Sequence, residues 1–129
     1  MSTPSHPAAP PAPHRIAVVI YSNVTTEALS RAYRALGFVA ELIAAGDDVT
    51  LVFDGGGSAT LAAILDPAHD LHRAWRKAAP ALRGACGYCA LAYGVRDALL
   101  AAGIPLLTDE HGHASLRALL HEGRQIITF

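Results

Sequence analysis

Cys86 and Cys89 are the only two cysteines in 129 residues, and they stand three positions apart as Cys86-Gly87-Tyr88-Cys89. One close pair in an otherwise cysteine-free chain is poor material for a disulfide framework and points to redox, sulfur or metal chemistry. The weakly β-prone stretch Leu82, Arg83, Gly84, Ala85 precedes the pair and a helical pattern follows it from Ala90. Cys86 is therefore expected at the end of a strand and Cys89 at the start of a helix. Backbone N–H groups and the helix dipole at such a junction favour thiolate over thiol. The competing reading is that one or both cysteines are small buried hydrophobes. Next to the strand end and beside Gly87, Cys86 is expected to be the more accessible nucleophile. Cys89, tilted back from the first helical turn, is then the resolving thiol. On that expectation a Cys86→Ser change abolishes alkylation near neutral pH.

Three other groups could do chemistry. Gly55-Gly56-Gly57 could cradle an anion with its N–H groups ahead of a helix opened by Ser58, but it matches neither the phosphate loop, which needs Lys after the glycines, nor the dinucleotide fingerprint. A plain tight turn is the alternative. His111 and His113 with the cysteine pair would complete a Cys2His2 donor set. However, 21 residues separate Cys89 from His111, more than in a zinc finger, and a core this size needs no zinc; no metal is assigned. On this reading His113 has a cap-like role before Ser115, His111 is solvated, and Asp109 and Glu110 belong to a wet loop. Trp75 lies among Arg73, Arg76 and Lys77, where it could stack a ligand; with Leu71 and Ala78 it also makes an amphipathic seam. His69 and His72 are expected on the surface.

The elements that must position these residues alternate regularly. Residues 16–21 form a β-branched apolar run of the kind buried on both faces of a parallel sheet. A helix follows, capped by Thr25 or Thr26, with Glu27 in its first turn. Its apolar face is Leu29, Tyr33, Leu36, Val39, Ala40 and Ile43, its wet face Arg31, Arg34 and Glu41, and its stop Gly46. Residues 49–53 repeat the strand pattern, the Asp54–Ser58 turn follows, and residues 59–65 continue as an apolar run. Asp66-Pro67 reads as an N-cap with Pro at the first helical position of a helix reaching Ala78, ended near Pro80. After the cysteines a helix is expected over 90–102, a strand over 104–108, a helix over 115–122 and a last strand over 125–129. Gly103 and Gly123 punctuate the helix-to-strand returns. The pattern predicts an α/β fold, a three-layer α/β/α sandwich on a mostly parallel five-stranded sheet. Ligand groups in such sheets collect beyond the carboxyl ends of the strands. That rule places Ser22 and Asn23, Asp54 to Ser58, Cys86 to Cys89 and Thr108 to His113 on one rim, with Asn23, Gly55, Gly56, Gly57 and Tyr88 as candidate binding residues and the cysteines as candidate catalytic ones.

Composition sets the limits. The chain is 52% hydrophobic and 16% charged with a mean hydropathy of +0.30, which fits one compact domain over 15–129. Residues 1–14, with five of the eight prolines, form a Pro/Ala-rich tail expected to be disordered. A formal charge of −1, with one lysine among ten basic residues, offers no footprint for nucleic acid or an anionic membrane. No charge-free stretch reaches the length of a membrane span, and the opening segment has neither the basic nor the apolar region of a secretory signal. The expected compartment is the cytoplasm.

The run Ala85-Cys86-Gly87-Tyr88-Cys89-Ala90-Leu91-Ala92-Tyr93-Gly94-Val95, followed by Asp97-Ala98, Ala101-Ala102-Gly103-Ile104-Pro105 and Gly112-His113-Ala114-Ser115-Leu116, resembles the DsrE (DsrE/DsrF-like) family of small sulfur-relay proteins. The resemblance extends over 15–129. Sulfur-carrying members use one cysteine at the end of this strand, eight positions before a Gly-Val pair, and Cys86 stands eight before Gly94-Val95. The resemblance implies that Cys86 forms a persulfide, that no cofactor is needed, and that the partners are sulfur donor and acceptor proteins or small persulfides. It also implies a homo-oligomer, trimer or hexamer. Cys89 has no counterpart in single-cysteine carriers, so a dithiol/disulfide oxidoreductase and a non-catalytic assembly subunit stand beside the sulfur carrier as alternatives.

Overall fold

The computed structural model describes residues 13–26 and 29–129; the Pro/Ala-rich tail, apart from its last two residues, and the first-turn Glu27 lie outside them. Five strands, β1 (Arg15–Ile20), β2 (Asp48–Phe53), β3 (Leu82–Cys86), β4 (Leu106–Leu107) and β5 (Gln125–Thr128), pair in the order β4-β3-β2-β1-β5. Every pairing is parallel. Helices cover both faces, so the fold is the expected three-layer α/β/α sandwich.

Alternation along the strands divides the core. Ile16, Val18, Ile20, Leu51 and Phe53 point to one face, under α1 (Leu29–Ala44), α2 (Gly57–Ile64) and α3 (His72–Ala78). Trp75 of α3 is buried there, edge-on to Phe53 at a ring separation of 5.9 Å, so it packs on the body of the protein. Ala17, Val19, Val52 and Cys86 point to the other face. That face is covered more thinly, by Ala114 of the loop after β4 and Leu119 of α6 (Leu116–His121).

Several boundaries differ from the sequence expectation. The buried seam of α1 is Ala32, Ala35, Leu36, Val39 and Leu42, whereas Leu29 and Tyr33 are exposed. Small alanines let the helix approach α3 and the sheet, and the larger side chains rotate outward. α3 starts at His72 because Asp66 closes a local turn instead, its Oδ1 accepting the Ala68 N–H. His69 and His72 are half-buried and engage backbone: the Leu71 N–H donates to His69 Nδ1, and His72 Nδ1 lies 2.8 Å from the Ile64 carbonyl oxygen. The helix expected over 90–102 is two helices, α4 (Gly87–Ala92) and α5 (Arg96–Ala101). Gly94 breaks it with a φ of 71°, a left-handed conformation that costs glycine little. β4 has two residues rather than five, pairing with β3 only at Ala85 and Cys86. Ser115, not His113, caps α6, accepting the Ala118 N–H on its Oγ.

The amino-terminal rim is clamped by charge. Arg83 makes two hydrogen bonds to the Glu122 carboxylate, and Arg124 bonds both Glu122 and Asp48. Hydrogen bonds from Arg83 and then Arg124 draw the Glu122 carboxyl down to about 2. Among the described residues no helix is long and apolar enough to cross a membrane.

Candidate functional site

All five strands run the same way, so the loops leaving β1, β2 and β3 share the carboxyl rim with Cys86. β3 lies beside the central strand β2. The loop after β1 is pinned to α2 by Thr60, whose Oγ1 donates to the Ser22 carbonyl oxygen and accepts the Val24 N–H. The turn after β2 lies against the same loop. A Cβ on Gly57 would fall 1.8 Å from the Ile20 carbonyl oxygen, and one on Gly56 would fall 3.0 Å from Asn23 Cβ, so this approach needs glycine.

Cys86 is the last residue of β3 and is fully buried on the thin face. Its Sγ accepts the Ala114 N–H at 3.4 Å and lies 3.5 Å from His113 Nδ1. Cys89, in the short α4, is half-buried, and its thiol donates to Asp54 Oδ1 at 3.5 Å. Burial, followed by its hydrogen bond to Cys86, pushes the Cys89 thiol up to about 12 against the contrary pull of the Gly55 N–H. Cys89 therefore holds its proton at neutral pH, while Cys86 accepts hydrogen bonds. Burial and then the Asp54 charge raise the Tyr21 phenol to about 12 as well.

The accessibility order expected from the sequence is reversed. Strand alternation turns Cys86 inward beneath Ala114 and Leu119, and Cys89 is the more exposed thiol. The remaining candidates divide. Tyr88 is 56% exposed and stacks on the His113 ring at a centroid distance of 4.3 Å. Gly55 lies against Cys89, its N–H donating to Asp54 Oδ1 while also pulling on the Cys89 thiol, and the Gly57 N–H donates to the Asp54 carbonyl oxygen. The glycine turn thus serves to hold Asp54 beside Cys89. Asn23 spends its Oδ1 on the Thr25 N–H and hydroxyl, and with Gly56, Tyr21 and Arg31 it lines a separate cavity of about 270 Å³. Tyr21 is a site residue that the sequence reading passed over, whereas Asp54, which the strand-end rule puts on the rim, is given no role there by the sequence. Their positions immediately after β2 and β1 were the available signal.

The Cys86, Cys89 and His113 donor atoms lie within 4.8 Å of one another. His111 does not join them: it is exposed and paired with Glu110 at 2.6 Å. In comparisons with known proteins, no family model, curated protein or solved structure matches the chain.

Proposed function

We propose that this protein transfers sulfur, with Cys86 as the persulfide-bearing residue and Cys89 as its resolving thiol. The observation that carries the reading is the asymmetry of the pair: Cys86 Sγ accepts the Ala114 N–H, whereas Cys89 keeps its proton and donates to Asp54. A thiolate at Cys86 attacks the outer sulfur of a donor persulfide, forming Cys86–S–SH and releasing the donor thiolate. An acceptor thiolate then attacks that outer sulfur, takes it, and restores the Cys86 thiolate. The resemblance to the DsrE family rests on the same residue.

The dithiol alternative is supported by the proximity of the two sulfurs, within 4.8 Å. When no acceptor arrives, Cys89 gives its proton to Asp54 and attacks the inner sulfur of Cys86–S–SH. The products are a Cys86–Cys89 disulfide and hydrosulfide. A reducing cytoplasm would keep the pair free for repeated transfer. Tyr88 and Leu91 on α4 and Tyr93 at its end leave exposed apolar surface, which supports docking of protein donors and acceptors or of further copies of the chain in a trimer or hexamer.

Transfer from a small persulfide to an acceptor thiol, measured on single-cysteine variants, tests the reading. A carrier survives Cys89→Ser and fails with Cys86→Ser. An oxidoreductase fails with either change, and an assembly subunit tolerates both.

A further inference from the structure

We propose that Cys86, Cys89 and His113 form a binding site for a zinc-type divalent ion, a use of these residues beyond sulfur transfer. An ion at tetrahedral geometry, about 2.3 Å from each sulfur and 2.0–2.1 Å from nitrogen, requires an S···N separation of about 3.6 Å and an S···S separation of about 3.8 Å. Cys86 Sγ already lies 3.5 Å from His113 Nδ1, and no pair among the three donor atoms exceeds 4.8 Å. The set therefore needs to contract by about 1 Å at most. Two thiolates and an imidazole select a thiophilic ion over calcium or magnesium, which prefer oxygen.

Charge and support agree with the geometry. Binding releases the two thiol protons to the buffer, and two thiolates neutralise the dication in a site where Cys86 is fully buried and the other two ligands are half-buried. The Ala114 N–H on Cys86 Sγ is an outer-shell donor of the kind that orients a ligating thiolate, and the Tyr88 ring holds the His113 imidazole. Three ligands leave a fourth position for water or an external thiolate. Because the ion takes both sulfurs, an occupied site excludes a persulfide or disulfide at Cys86.

The test is a cobalt titration of the reduced, chelator-treated full chain, followed by displacement with zinc. The expected result is thiolate-to-cobalt charge-transfer absorption saturating at one ion per chain and lost on adding zinc. Cys89→Ser and His113→Ala each weaken binding by more than about 100-fold, since losing an outer-shell partner alone costs about 10–100-fold. Both positions are half-buried, and circular dichroism verifies folding. His111→Ala, outside the donor group, leaves affinity unchanged. Absence of the charge-transfer band in the wild type, or equal weakening by His111→Ala and His113→Ala, overturns the site. Persulfide formation is measured separately on metal-free protein, which tells failure of ion binding from failure of sulfur transfer.

Discussion

Half-exposed Cys89 should react slowly with a small alkylating agent near neutral pH, despite being the more accessible thiol. Its pKa moves from 9.0 to about 12, lowering the thiolate fraction at pH 7 by about 1,000-fold. A more basic thiolate is also a better nucleophile, and a Brønsted coefficient of about 0.4–0.5 over three units returns a factor of about 15–30. The net expectation is alkylation about 30- to 60-fold slower than for an unperturbed thiol. Cys86 is fully buried, so its alkylation, like its attack on a donor persulfide, waits on opening of the thin cover of Ala114 and Leu119 and adds little to the labelling over the same time course. The assay is iodoacetamide labelling over a pH series, with each cysteine followed by peptide mass spectrometry. The Cys89 rate should climb about tenfold per pH unit past pH 9 without levelling off. Cys86→Ala removes a neighbour that raises the Cys89 pKa, so it should accelerate Cys89 labelling. A plateau below pH 9, or loss of labelling in Cys86→Ala, would refute the assignment of the proton to Cys89.

Two glycines set the limits of what the backbone tolerates. Gly57→Ala puts a Cβ 1.8 Å from the Ile20 carbonyl oxygen and should cost at least about 3 kcal/mol in urea unfolding, whereas Gly37→Ala in α1 meets nothing within 4 Å and should gain about 0.5–1 kcal/mol. The Glu122 carboxyl has a folded-state value of about 2 against 4.5 unfolded, so its stabilisation is complete above pH 4.5 and lost as pH falls toward 2. With the side chain 35% exposed, solvent screening reduces this to about 1–2 kcal/mol; Glu122→Gln should flatten the acid limb of the stability profile by that amount. Leu91, 66% exposed on α4, is the position at which a Glu substitution should lower the oligomeric mass seen by light scattering; a wild-type chain already monomeric at micromolar concentration would contradict the assembly reading.

The layering of the fold was legible because buried parallel strands need continuous apolar runs, and Ile16 to Ile20 and Val49 to Phe53 provide them. The gathering of the rim was legible from the same rule, since strand ends in a parallel sheet share one side. What composition hid was the face each residue takes. Cys86 and Ala85 are neighbours in one strand, yet they belong to opposite cores, and only the register of β3 decides which of them points beneath Ala114. Periodicity likewise placed Leu29 and Tyr33 inside α1, because a helical stripe of large residues looks like a core until the alanines beside it claim the close contact. Asp66-Pro67 carried a helix-start signal that a local Asx turn took over. His113 was separable from His111 only through distance: one lies against Cys86, the other on Glu110.

The central claim is that Cys86 carries sulfur. Intact mass spectrometry of the reduced, metal-free chain after exposure to a small persulfide donor tests it most directly, with the modified residue located by peptide mapping. The account predicts a gain of about 32 Da, one sulfur atom, on Cys86, longer-lived in Cys89→Ser than in the wild type, where resolution to the Cys86–Cys89 disulfide removes it. No gain in mass, or a gain located on Cys89, would contradict it.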